Sequence, residues 1–169
     1  MIWVCPLSKV DATVASTQAK RLVSLLAPGT AMVRPPAIAE RDHLWLSLHD
    51  IAEAQDGMTL PGEAHMRTLI DFAKSWDRTR PLVINCYAGI SRSTASAYII
   101  AAALAPSRDE RELAATLRRV SPTATPNVRL IALADEMLGR QGRMVEAVKS
   151  IGRGADAFEG VPFALELGR

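Results

Sequence analysis

The sequence predicts an α/β fold: one domain spanning residues 1–169, with a central, mainly parallel sheet of four to five strands flanked by helices. Three observations carry this. Short apolar runs alternate with longer segments whose apolar residues recur at helical spacing. The run Pro81–Cys86 (PLVINC) is apolar enough for a strand covered on both faces, as parallel strands are. No repeat, linker or low-complexity tract divides the chain.

Taken in order, Met1–Cys5 is a short apolar run closed by Pro6, which reads as the first strand. Ser8 with Asp11 three residues on predicts a helix start. Val10, Val14, Leu22 and Leu25 extend it to about Leu26, where Pro28-Gly29 ends it. Ala31–Val33 is a candidate strand before the Pro35-Pro36 break. His43–His49 alternates around Leu44, Leu46 and Leu48, the period of a strand, and a polar loop covers Asp50–Leu60. A helix is expected from about Pro61 to Trp76, then the strand at Pro81–Cys86. The small and apolar residues from Ser91 to Leu104 suggest a helix buried on most sides. Ser107 and Glu110 have capping-box spacing for a helix to about Val120. Ser121–Pro126 is a turn, Asn127–Leu138 a helix, and Arg143–Ile151 a further helical segment. The glycine-rich tail, residues 152–169, carries no pattern that assigns it.

Composition narrows the function classes. A net charge of +2 is too small to argue for nucleic acid or a membrane surface as partner. The basic residues are 16 Arg and 4 Lys, a bias common in high-GC genomes that carries no functional weight. Two cysteines, Cys5 and Cys86, cannot build a disulfide framework. The N-terminus lacks a basic region followed by a long apolar stretch, and the run Ala95–Ala105 is about half the length of a membrane span. A cytoplasmic protein in a reducing compartment is the expectation.

The chemistry concentrates in Asn85-Cys86-Tyr87-Ala88-Gly89-Ile90-Ser91-Arg92-Ser93, between a strand and a helix. A phosphate cradle needs several backbone N–H groups aimed at one point, and a loop entering a helix supplies them. Gly89 permits the turn that this requires. Arg92, where the helix begins, presents a fork suited to two phosphate oxygens. Cys86 opens the loop, so its sulfur faces the same amides and the positive helix end, fields that favour a thiolate. An anionic sulfur behind a bound phosphate is an in-line nucleophile.

The stretch INCYAGISRSTASAY resembles the signature loop of the cysteine-dependent protein tyrosine phosphatases, and within them the compact dual-specificity branch in a bacterial form. The likeness extends more loosely from about His43 to Leu138, including Leu48–Asp50 and the Pro126-Asn127 pair. It implies phosphomonoester hydrolysis through a phosphocysteine, with no metal or other cofactor. Cys86 resembles the nucleophile and Arg92 the phosphate-binding arginine. The amides of Tyr87, Ala88, Gly89, Ile90 and Ser91 resemble the rest of the cradle. Ser93 resembles the hydroxyl that eases departure of the thiolate, and is also an ordinary helix-start residue.

A general acid is implied on a loop ahead of the cysteine. Asp50 directly follows a strand, where the family carries this residue, while Asp56 is the competing choice; the family's usual separation from the cysteine lies between the two. Asp50 is taken as the candidate. Asn85 departs from the histidine that the family nearly always has before the nucleophile. Asn can donate and accept hydrogen bonds but cannot become cationic. The alternative reading is therefore a weakened phosphatase-like module that binds phosphorylated partners. His43, His49 and His65 have no metal-like spacing with Cys86, and no metal site is expected. Cys5 reads as a small core residue; the resemblance also makes it the one possible partner for a reversible disulfide with Cys86. The loop CYAGISR lacks the extra lysines that inositol phosphates favour, so the expected partner is a phosphorylated substrate, a phosphoprotein in the first place.

Overall fold

The computed structural model describes residues 1–167. Its centre is a five-stranded sheet in the order β3-β2-β4-β1-β5. The strands are β1 (Ile2–Pro6), β2 (Arg21–Leu26), β3 (His43–Ser47), β4 (Leu82–Cys86) and β5 (Phe163–Leu165). The first four run parallel, and β5 joins the β1 edge antiparallel. The sheet is thus mixed, and its parallel part is the one the sequence predicts.

Six helices cover it among the described residues: α1 (Val10–Thr17), α2 (Glu63–Lys74), α3 (Arg92–Leu104), α4 (Glu110–Val120), α5 (Val128–Met137) and α6 (Arg143–Ser150). α1 packs on β1 and β4 from one face, over a small cluster containing Cys5, Val10, Val14 and Leu22. The other helices gather on the opposite face around α3, which is buried from Arg92 to Ala102. Its alanines and serines are what allow helices and sheet to close on it from several sides. The buried Tyr98 hydroxyl donates to the Glu110 carbonyl at 2.9 Å and ties α3 to α4.

The long first helix is overturned. After a 3-10 turn at Leu7–Lys9, α1 stops at Thr17, where Gln18 takes a left-handed conformation (φ 55°). Arg21–Leu26 is then a strand, not helix. β2 lies between β3 and β4, so Leu22, Val23, Leu25 and Leu26 are all buried on one face or the other. A strand buried on both faces loses the alternation that marks it, and the Leu22–Leu25 spacing then mimics a helix. Ser8 caps nothing; its hydroxyl donates to Glu159 Oε2 at 2.8 Å. Ala31–Val33 is irregular rather than a strand. Asp109, not Ser107, caps α4, accepting from the amides of Arg111 and Glu112 at 2.9 Å each. The tail that sequence left unassigned contains the edge strand β5. No helix among the described residues is long and apolar enough to cross a membrane.

Candidate active site

β4 ends at Cys86, and after five intervening residues α3 begins at Arg92. The intervening loop is shaped by where its carbonyls go. Those of Tyr87, Ala88, Ile90 and Ser91 accept from the amides of Leu7 (3.0 Å), Gly160 (2.7 Å), Thr125 (3.0 Å) and Asn127 (3.3 Å). Three separate segments of chain therefore turn the carbonyls outward, and a peptide whose carbonyl points out aims its neighbouring amide in. The Gly89 amide donates to Cys86 Sγ at 3.2 Å. No acceptor within the described residues is paired with the amides of Ala88, Ile90 or Ser91. Gly89 has φ 70°, and a Cβ there would lie 2.7 Å from Pro6 N and 2.8 Å from the Cys5 carbonyl carbon. No other residue fits.

At the floor, Cys86 is 1% exposed, and its Sγ lies 3.1 Å from Ser93 Oγ. Arg92 is also buried. Its Nη1 donates to the Leu48 carbonyl at 3.0 Å, which holds the side chain across the mouth of the loop. Its Nε is buried without a hydrogen-bond partner, an arrangement that costs free energy unless an anion supplies the acceptor. α3 is entered without a side-chain cap, because Ser91 Oγ donates to Asp50 Oδ1 at 2.8 Å instead. The first turn of the helix keeps its amides and its positive end for a ligand.

Asp50 is anchored beside this loop. Its Oδ1 also accepts from Asn127 Nδ2 at 2.8 Å, and its Oδ2 lies 3.9 Å from Arg92 Nε. Asn127 acts twice: its Oδ1 caps α5 by accepting from the amides of Arg129 (3.1 Å) and Leu130 (3.0 Å). Asp56 is exposed in the turn Gln55–Met58, at the far end of a loop whose base is closed by His49 and Thr59. Of the two aspartates, Asp50 is the one that touches the loop, through Ser91 and Arg92. Tyr87, 60% exposed, and Ala88 and Ile90 join the cradle through their backbone.

Asn85, the residue before Cys86, is fully buried on the opposite face of β4. Ser24 Oγ of β2 donates to Asn85 Oδ1 at 2.7 Å, and Ser24 Oγ lies 2.9 Å from His43 Nε2 of β3. With the hydroxyl proton given to Asn85, His43 is the donor of the second bond. Burial, then the charge of Arg34, lowers the His43 pKa. Asn85 Nδ2 has no partner. In the same row, Cys5 is in register with Asn85, while Cys86 is in register with Pro6. Successive strand residues face opposite ways, so Cys5 and Cys86 belong to different cores. Burial pushes the Cys5 thiol up to about 12, which makes it inert near neutral pH. The disulfide option is not supported by this geometry.

Two contributions escaped sequence reasoning. The tail braces the loop: besides the Gly160 amide bond, a Cβ on Gly160 would stand 2.9 Å from the Gly89 carbonyl oxygen. The buried row His43–Ser24–Asn85 required knowing that β2 exists. The signal in both cases was a residue out of place, a glycine in an unassigned tail and a serine in an apolar run.

A cysteine at the end of a central strand, an amide-lined loop and a helix-start arginine thus meet at one edge of the sheet. The fold that carries them is that of the cysteine-dependent protein tyrosine phosphatases, dual-specificity type. Among solved structures, the chain is similar to the Cydia pomonella PTP-2 phosphatase, with TM-score 0.62 and 17% identity over 80% of this chain and 84% of that one. It is also similar to DUSP15, with TM-score 0.62 and 15% identity over 88% and 90% of the two chains. A mouse putative dual specificity phosphatase complexed with zinc tungstate gives TM-score 0.62 and 13% identity over 87% and 86%. At these identities the shared property is the fold. No protein-family model and no curated relative matches the chain.

Proposed function

We propose that this protein is a single-domain phosphatase that hydrolyses phosphomonoesters through a phosphocysteine on Cys86. The observation that carries the reading is the set of loop carbonyls held outward by Leu7, Gly160, Thr125 and Asn127 around a buried Cys86 Sγ. That arrangement leaves inward amides and the unpartnered Arg92 Nε for the phosphate oxygens. In the first step Cys86 Sγ attacks phosphorus as the bond to the leaving oxygen breaks, and Asp50 gives that oxygen its proton. In the second, Asp50 takes a proton from water, the water oxygen attacks phosphorus, and Sγ departs as thiolate accepting from Ser93 Oγ. The amides and Arg92 stabilise the equatorial oxygens in both transition states. The phosphate-bearing partner is taken as a phosphoprotein, since no lysine lines the loop and the similar solved structures include a dual specificity phosphatase.

The test is release of phosphate from para-nitrophenyl phosphate across pH 5–8. Wild type is expected to turn over, Cys86→Ser to fall to background, and Asp50→Ala to lose about 10²- to 10⁴-fold for a poor leaving group. A wild type as inactive as Cys86→Ser that still binds vanadate would instead identify a phosphate-binding module.

A further inference from the structure

Beside the phosphate loop the surface falls into a groove between α5 and α6, a cavity of about 330 Å³. Val128 and Ile131 from α5 and Val145 and Val148 from α6 give it an apolar floor, and Lys149 and Arg153 also line it. Val128 is conspicuously exposed for its type (57%), on the first turn of a helix whose cap, Asn127, holds Asp50. A second, shallower cleft of about 210 Å³ begins at Ile90 and Ser91 of the phosphate loop. Thr125 and Arg153 wall both. Thr125 is itself fastened to the loop, its amide donating to the Ile90 carbonyl. The two clefts share Thr125 and Arg153, so the apolar slot lies one wall away from the phosphate-loop residues Ile90 and Ser91.

We propose that this groove is a substrate subsite: it takes an apolar side chain carried by the substrate polypeptide a few residues from the phosphorylated one. The inference rests on the phosphatase reading and names part of its substrate class. The occupant follows from adjacency. A ligand anchored by its phosphate at Ser91 and running past Thr125 reaches a slot at the small end of ligand-site volumes, whose Val128, Ile131, Val145 and Val148 an apolar side chain would cover, with the exposed Lys149 and Arg153 beside them. Arg153 is no barrier, because its pair with Asp156 is exposed on both sides and free to swing.

The experiment uses the full chain bearing Cys86→Ser and fluorescent phosphotyrosine peptides in a neutral Gly/Ser background. A single Leu is moved through the four positions on either side of the phosphorylated residue, and binding is read by anisotropy. One position is expected to bind at least about tenfold tighter than the Gly/Ser peptide. That ratio should collapse toward one in Val128→Asp and in Val145→Gln. Val128 is exposed, and an acidic residue suits the first turn of a helix, so the first variant keeps the fold. Using a ratio within each variant cancels any general effect on phosphate binding. Equal binding of all peptides, a ratio untouched by both variants, or equal affinity for unphosphorylated peptides would each overturn the subsite. Para-nitrophenyl phosphate turnover by wild type separates the two ideas. Turnover without a Leu preference removes the subsite alone. A Leu preference without turnover keeps the subsite and removes the phosphatase.

Discussion

Asn127 joins the proposed general acid and the start of α5 in one side chain. Its oxygen caps α5, and its amide nitrogen steadies Asp50. Asn127→Ala is expected to cost about 1 kcal/mol in urea unfolding through the lost cap. Asn127→Asp retains a cap oxygen but sets a carboxylate against Asp50. Both variants should lower kcat on para-nitrophenyl phosphate, and a wild-type pH–rate profile in both would remove Asp50 from its assigned place. His43 gives a pH signature of stability. Its folded pKa lies below the unfolded value of about 6.5, so the unfolded chain binds the proton more readily. The stability it contributes is present above that value and is lost as pH falls below it toward the folded pKa. Urea midpoints from pH 7.5 to 5 should decline in wild type and decline less in His43→Gln, which can still donate to Ser24.

Among elements, the C-terminal segment is the one whose importance is least visible from its composition. It crosses behind the phosphate loop at Gly160 and then adds β5 to the β1 edge. A side chain at Gly160 must displace the Gly89 carbonyl, 2.9 Å from the would-be Cβ, and with it the amide geometry of the loop. Gly160→Val is therefore expected to reduce kcat on the aryl phosphate by about 10²-fold, the scale of a misplacement near 1 Å. Its effect on thermal stability should be modest, because β5 and its buried Phe163 and Leu165 remain. A variant with normal kcat would show that the tail covers the loop without shaping it. The truncated α1 and the appearance of β2 matter at the same scale, since β2 supplies Ser24 and, through it, the support of Asn85.

Over the whole molecule, the sheet separates two cores, and with them the two cysteines. Peroxide treatment of the native protein should produce no Cys5–Cys86 linkage by mass spectrometry, because joining them requires one side chain to pass through the β1–β4 ladder. Finding that linkage in folded, active-on-reduction protein would contradict the register. The same division explains the placement of the site. Parallel strands end together at one edge, so β4 delivers Cys86 there. The segments after β1 and β3 supply Leu7, and then Leu48 and Asp50.

Much of this was legible in the residues alone. The loop Cys86–Arg92 declares itself because its chemistry is local: the strand, the glycine, the helix start and the arginine are contiguous, and the geometry follows from backbone preferences within a few residues. The helices from α2 to α6 were legible for the same reason, each carrying its own apolar spacing or cap. The strand β2 was not, because burial on both faces erases alternation and leaves a run that fits either period. Nor were the contacts that hold Asp50 beside the loop, the outward pull on the loop carbonyls, or the bracing by Gly160. Those depend on segments far apart in sequence meeting at one edge of the sheet. Local chemistry determined what the site is made of; only the tertiary packing decided which distant residues hold it in shape.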